Sequence, residues 1–179
     1  MMTGIVRYNI NLFLVLALLS AVGCQSPEKK AEKAKKKELA LIELHLEVTP
    51  DGMTDSKAIT INRREPLSLN VDKDAFVDGG YLTEAKLIDE GTDLYSIQLK
   101  FNWSGAMRLN TTTSTSRGKH IAVFCTFGES RWLAAPLIRK PIMDGLFTFT
   151  PDASREEAER IVRGLNHVAE KVKKDDLKW

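Results

Sequence analysis

Apolar and polar residues alternate with period two over much of this chain, and that period marks half-buried strands. Ile42, Leu44, Leu46 and Val48 stand between Glu43, His45 and Glu47, which predicts a strand with one face in a core. Thr49-Pro50-Asp51-Gly52 breaks it with turn chemistry. Shorter strands are predicted at 58–62 and through Leu67, Leu69 and Val71, and Gly79-Gly80 marks a turn before Tyr81-Leu82-Thr83-Glu84-Ala85. The clearest alternation spans 94–103: Tyr95, Ile97, Leu99, Phe101 and Trp103 share one face, Ser96, Gln98, Lys100 and Asn102 the other. Ile121-Ala122-Val123-Phe124-Cys125 is apolar on both faces and reads as a central strand. Gly128-Glu129-Ser130 turns the chain into a strand over 132–138, and Pro136 within it implies an edge or a bulge. A short strand from Leu146 to Thr150 closes the set.

Two segments carry helical signals instead. Ser104 can cap a helix running to about Arg117, with Gly118 suited to the left-handed position beyond its end. Thr111, Thr112, Thr113 and Thr115 weaken it, because β-branching restricts rotamers against the preceding turn. Tertiary contacts must therefore hold it, through Ala106, Met107 and Leu109. The last helix is better specified. Ser154 and Glu157 make a capping box, and Ala158, Ile161, Val162, Leu165, Val168, Ala169 and Val172 recur at helical spacing. Glu156–Arg160 and Glu159–Arg163 are expected as outer-face ion pairs, and Gly164 as a point of close approach to the sheet. The fold class follows: α+β, a largely antiparallel or mixed sheet with two helices packed on one face.

Ahead of this pattern lies a different one. Leu12 to Leu19 is uninterruptedly apolar, with Arg7 before it and the small residues Ser20, Ala21 and Gly23 after it. That is the layout of a secretory signal peptide over 1–23, too short to span about 30 Å of hydrocarbon. Cys24 follows directly and resembles the acylated cysteine of a bacterial lipobox, although Ala21 stands where leucine is usual. Ala21-Val22-Gly23 also fits ordinary signal peptidase, which leaves a soluble secreted chain with a free thiol as the alternative. Lipidation at Cys24 is the expectation adopted, with residues 24–40 as an anchored, charged tether. Between Glu28 and Glu38 that tether holds six lysines and three glutamates and has no apolar period. It reads as a spacer, though its lysines can also touch anionic headgroups.

Composition narrows the function. Beyond the leader, about 155 residues suffice for one domain with a real core, expected over 41–176. Residues 41–179 hold 19 basic and 21 acidic groups, so the folded part lacks the basic surface of a nucleic-acid binder. Cys125 is the only thiol besides Cys24, which excludes an internal disulfide without Cys24 and leaves Cys125 an inert core thiol. His45, His120 and His167 lie far apart without ligand spacing and read as solvated. The loop aspartates lack calcium-site spacing, and neither a nucleophile elbow nor a phosphate loop occurs. No catalytic residue, metal or cofactor is expected, and the chain reads as a non-enzyme.

Several of these residues together resemble a family. The stretch Ser104 to Leu165 is similar to the head subdomain of the first periplasmic domain of SecD and SecDF protein-export membrane proteins. The resemblance rests on Ser104-Gly105-Ala106, Thr113, Gly118-Lys119, Ile121-Ala122-Val123, Ala135-Pro136-Leu137-Ile138 with Pro141-Ile142, and Ser154 to Ala158. Upstream, Tyr81 to Ala85 looks like the family's entry strand, so the likeness covers about residues 81–170. The longer Phe124–Arg131 connection and the shortened Met143-Asp144-Gly145-Leu146 depart from the pattern. The family's transmembrane bundle has no counterpart in these 179 residues, so proton-driven translocation does not carry over. What the resemblance implies is the fold and a capacity to contact extended polypeptide.

The expected function is accordingly a lipid-anchored binding module linked to protein export, held in the cell envelope and facing the periplasm or exterior. The alternative is a structural docking lipoprotein with one folded envelope partner and no role in export. Phe127, Trp132 and Pro136 are the candidate partner-binding residues. If the two aromatics protrude they offer flat apolar area to an extended chain, and if they point inward they are core. An edge strand containing Pro136 can also accept a peptide by main-chain pairing. The anchor has a direct check: fatty-acid label is expected in the wild-type protein and absent from Cys24→Ala.

Overall fold

Leu44 and Val123 face each other across the middle of an antiparallel strand pair, and neither retains any accessible surface. They belong to β1 (Leu41–Leu46) and β7 (Ile121–Thr126). With β4 (Val77–Asp78) and β8 (Ser130–Ala134) these form a four-stranded sheet in the order β4-β1-β7-β8. The computed structural model describes residues 38–51, 55–61, 66–91 and 94–176. Among these, a second sheet has the order β5-β6-β9, built from Leu82–Gly91, Leu94–Phe101 and Leu146–Phe149. A hairpin of β2 (Ser56–Ile61) and β3 (Leu67–Asp72) makes a third. Helices α1 (Trp103–Thr115) and α2 (Arg155–Asp176) complete an α+β fold in which the strand pairings are antiparallel.

Two apolar clusters explain why β7 is greasy on both faces. Ile121, Val123 and Cys125 enter the main core with Ile42, Ile97, Leu99, Leu109 and the Ile161–Leu165 stripe of α2. On the opposite face Ala122 packs against Ile59, Ile61, Leu69 and Val71 of the β2–β3 hairpin. That hairpin also covers His45, expected on a solvated face. The ring is only 6% exposed, and its Nδ1–H donates to the Asp72 carbonyl at 2.9 Å, so the buried polar group is satisfied.

Helix α1 starts two residues before the expected position. Asn102, not Ser104, is the cap, its side-chain oxygen accepting from the Gly105 N–H at 2.9 Å. Trp103 therefore leaves the strand alternation, opens the helix, and is 78% exposed. The helix ends at Thr115, and Gly118, at φ 81°, serves the turn into β7 rather than a helix cap. Its threonines do the holding. Thr113 is buried, donates to the Leu109 carbonyl at 2.7 Å and accepts from the Ile142 N–H at 2.9 Å. Gly105 lets the helix settle on β6, since a β-carbon there would lie 2.7 Å from that of Tyr81 and 2.9 Å from that of Phe101.

The capping box of α2 forms as expected. The Ser154 N–H donates to Glu157 Oε2 at 2.8 Å, and the Glu157 N–H donates to Ser154 Oγ at 3.2 Å. The backbone bond from Ser154, aided by the Arg131 guanidinium, holds the Glu157 carboxyl below its ordinary range. Asn166 then ties the helix to β5 through two bonds to the Ala85 backbone, at 2.8 and 2.9 Å. The anticipated Glu156–Arg160 and Glu159–Arg163 pairs give way to a longer-range arrangement. Arg160 and Arg163 both turn to Glu38, at 3.7 and 3.2 Å, and Glu159 takes Arg155 at 3.5 Å. The lead-in to β1 delivers a carboxylate between two guanidiniums, which the helix alone cannot supply. The end of the presumed tether is thus docked: Ala40 is buried and the Glu38 carbonyl accepts from His167 Nδ1 at 2.8 Å.

Gly164 is what permits this docking, because a β-carbon there would sit 2.8 Å from the Ala40 nitrogen. Gly164→Val is expected to force α2 away from β1 and to lower stability by about 1–3 kcal/mol, measured by urea unfolding.

Candidate functional site

The aromatic platform expected on the Phe124–Trp132 connection does not assemble. That connection is a tight hairpin, closed by the Phe127 N–H donating to the Glu129 carbonyl at 2.8 Å with Gly128 at φ 98°. Phe127 points inward, 8% exposed, with the Arg131 guanidinium 5.5 Å above its ring. Arg131 faces Glu129 and Glu157, each at 3.3 Å, without aligned hydrogen bonds, so the attraction is ionic and ties the hairpin to the first turn of α2. Trp132 sits on the other face of the sheet. It packs against Phe124 at 4.9 Å and His45 at 5.2 Å, half-buried beneath the β2–β3 hairpin. The two aromatics therefore serve different cores, and neither protrudes. Cys24 lies outside the described residues.

Pro136 has a different fate. Strand β8 stops at Ala134, so the proline is beyond the strand rather than within it. Its carbonyl accepts from the Ile121 N–H at 3.0 Å, and the Ile138 N–H donates to the Lys119 carbonyl at 2.8 Å. The segment after β8 thus spends its polar backbone on the entry to β7. Pro136 and Pro141 offer no N–H of their own. Among the described residues nothing in this segment pairs with β9, whose one neighbour there is β6.

The result is an open groove along the free edge of β9. Pro136, Leu137, Ile138 and Ile142 line one side, and Phe147 and Thr148 lie on the β9 side. It continues past Met143 and Gln98 in one direction and toward Pro151 in the other. Leu137 and Met143 are 43% and 77% exposed, unusual for large apolar side chains beside an unpaired strand edge. An unpaired strand edge offers N–H and C=O groups in register, and apolar walls beside it select alternate side chains of an added strand. Sequence reasoning reached Pro136 but missed Leu137, Ile142, Met143 and Thr148. The legible signal was the spacing of Pro136, Pro141 and Pro151 around a four-residue strand.

The histidines elsewhere hold the chain together. His120 Nδ1 lies 2.7 Å from Glu47 Oε2, and His167 is held by Glu38. Expected as solvated side chains, all three histidines instead fasten chain segments together. No group of three or more His, Cys, Asp or Glu among the described residues could hold a metal ion, and no helix there is long and apolar enough to cross a membrane. Burial pushes the Cys125 thiol up to about 12, in keeping with an unreactive core position.

The described residues fold as a small α+β domain with a short edge strand. The family model for the SecDF P1 head subdomain matches residues 33–169, and the chain belongs to that family. Two solved structures share its fold. One is a SecDF described as a membrane component that enhances protein export, at 19% identity and TM-score 0.56, with 82% of this chain and 70% of that one covered. The other is a crystal structure of SecDF in a super-membrane-facing form, at 20% identity and TM-score 0.56, with 79% of this chain and 21% of that one covered. No curated protein sequence matches the chain.

Because Cys125 is both buried and protonated, its alkylation by iodoacetamide at pH 8 should proceed only through unfolding. Its rate in native protein is expected to fall at least about a thousandfold below that in urea; comparable rates would place the thiol at the surface.

Proposed function

We propose that this protein is a non-catalytic, lipid-anchored export accessory that captures extended polypeptide outside the cell's interior by strand addition to β9. The observation that carries the reading is the unpaired β9 edge beside an apolar wall, in a member of the SecDF P1 head family. An unfolded chain leaving the membrane is extended and presents unsatisfied backbone groups. A strand edge meets those groups whatever the sequence, while Leu137, Ile142 and Met143 favour segments with apolar residues at alternate positions. Capture of this kind needs no cofactor and no chemistry, only reversible main-chain pairing. Acylation of Cys24 would keep the groove near the exit site, and the lysine-rich stretch after it would serve as spacer.

Support for export comes from the family and from a related SecDF described as enhancing protein export. The test is a photocrosslinking amino acid at position 137 of the full chain in living cells. Adducts with many secretory precursors are expected, and Met143→Asp with Ile142→Asp should cut their yield at least about tenfold. A single folded partner in the adducts would replace capture with the docking role, and an unchanged yield in the variant would remove the groove from it.

A further inference from the structure

The outer flank of α1, together with the loop that runs alongside it, is acid-poor and carries both exposed apolar and unpaired cationic side chains. Residues 94–145 contain seven basic residues and two acidic ones, Glu129 and Asp144, whereas 41–93 contain five basic and twelve acidic. Two backbone bonds, Gly118 N–H to the Ile138 carbonyl at 3.0 Å and Ile138 N–H to the Lys119 carbonyl at 2.8 Å, bring the end of α1 beside the 138–140 turn. Arg117, Lys119, Arg139 and Lys140 are gathered there, and no ion pair engages them among the described residues. The loop then follows the helix back toward its start. Ile142 bonds to Thr113, and Gly145 lies so close to Ala106 that a β-carbon would come within 2.8 Å of it.

At that opposite end several large apolar side chains are exposed. Trp103 and Met107, four residues apart and hence on one helical face, are 78% and 46% exposed, and Met143 of the loop is 77% exposed. An exposed tryptophan one helical turn from an exposed methionine, with cations one helix length away, has the chemistry of an interfacial surface. The indole has an apolar body and a polar N–H suited to the headgroup level, and the cations meet lipid phosphates.

We infer that this flank of α1 rests on an anionic bilayer, Trp103 entering the headgroup region and the Arg117–Lys140 cluster binding lipid phosphate. The contact is independent of any acyl group at Cys24; Arg139, Lys140 and Met143 also border the β9 groove, so Trp103, which does not, reports on it separately from polypeptide capture. It would lie the head on the membrane and fix which way the groove faces.

The test uses the full chain reconstituted in vesicles of phosphatidylethanolamine with about one-third phosphatidylglycerol, the fraction being a choice that supplies anionic charge. The Trp103 signal is taken as the difference between wild type and Trp103→Phe. It is expected to be blue-shifted and quenched by brominated acyl chains, and to return to an iodide-quenchable state in phosphatidylcholine vesicles. Each of Arg117→Gln, Lys119→Gln, Arg139→Gln and Lys140→Gln should weaken the contact by about fivefold, with unchanged circular dichroism. A Trp103 signal that stays open to iodide on anionic vesicles overturns the proposal. So does shielding that survives all four substitutions, or that arises only when a protein partner is added.

Discussion

Burial of β7 on both faces is the constraint on which the remaining architecture depends. A strand apolar on two sides must be covered twice. The second sheet and α2 cover one face, and the β2–β3 hairpin covers the other. Each layer is itself too small to stand alone; a two-stranded hairpin is marginal in water without a face to pack on. The hairpin gains that face from Ala122, Ala135 and Trp132, and in exchange it removes His45 from solvent. The polar cost of that removal is met by the Asp72 carbonyl, so the second core closes without an orphaned donor.

The edges of the two larger sheets are treated differently, and the difference gives the molecule its open surface. At β8 the chain turns away after Ala134 and folds its backbone onto the entrance of β7. At β9 no described segment besides β6 supplies main-chain partners, because prolines and prior commitments leave the adjacent 136–142 stretch with little to offer. Proteins ordinarily blunt a free edge with charge, a bulge or a short strand. Strand β9 is short, at four residues, yet it is bordered by apolar side chains rather than by charge alone. Shortness of this kind is one of the ways a sheet limits pairing at a free edge.

The start of β1 is held as firmly as its middle. Glu38 meets two arginines and lends its carbonyl to His167, while Ala40 fills the space opposite Gly164. Load arriving from the N-terminal side therefore passes into α2, and through Asn166 into β5. That path links the segment nearest the proposed anchor to the sheet that carries the groove. The charge division between residues 41–93 and 94–145 adds a direction to the molecule that its near-neutral folded total conceals.

Local pattern decided the elements. The central strand, the alternation of β6 and the capped amphipathic α2 were readable because each is specified by neighbours a few positions away. The inertness of Cys125 followed in the same way. Partnership was another matter. Whether Phe127 protrudes depends on what the rest of the fold packs against it, and whether arginines on α2 pair along the helix or reach Glu38 depends on a group more than 100 residues away. The groove is the clearest case. A strand becomes an edge only through the failure of some other segment to pair with it, and no local signal records a partner that does not arrive.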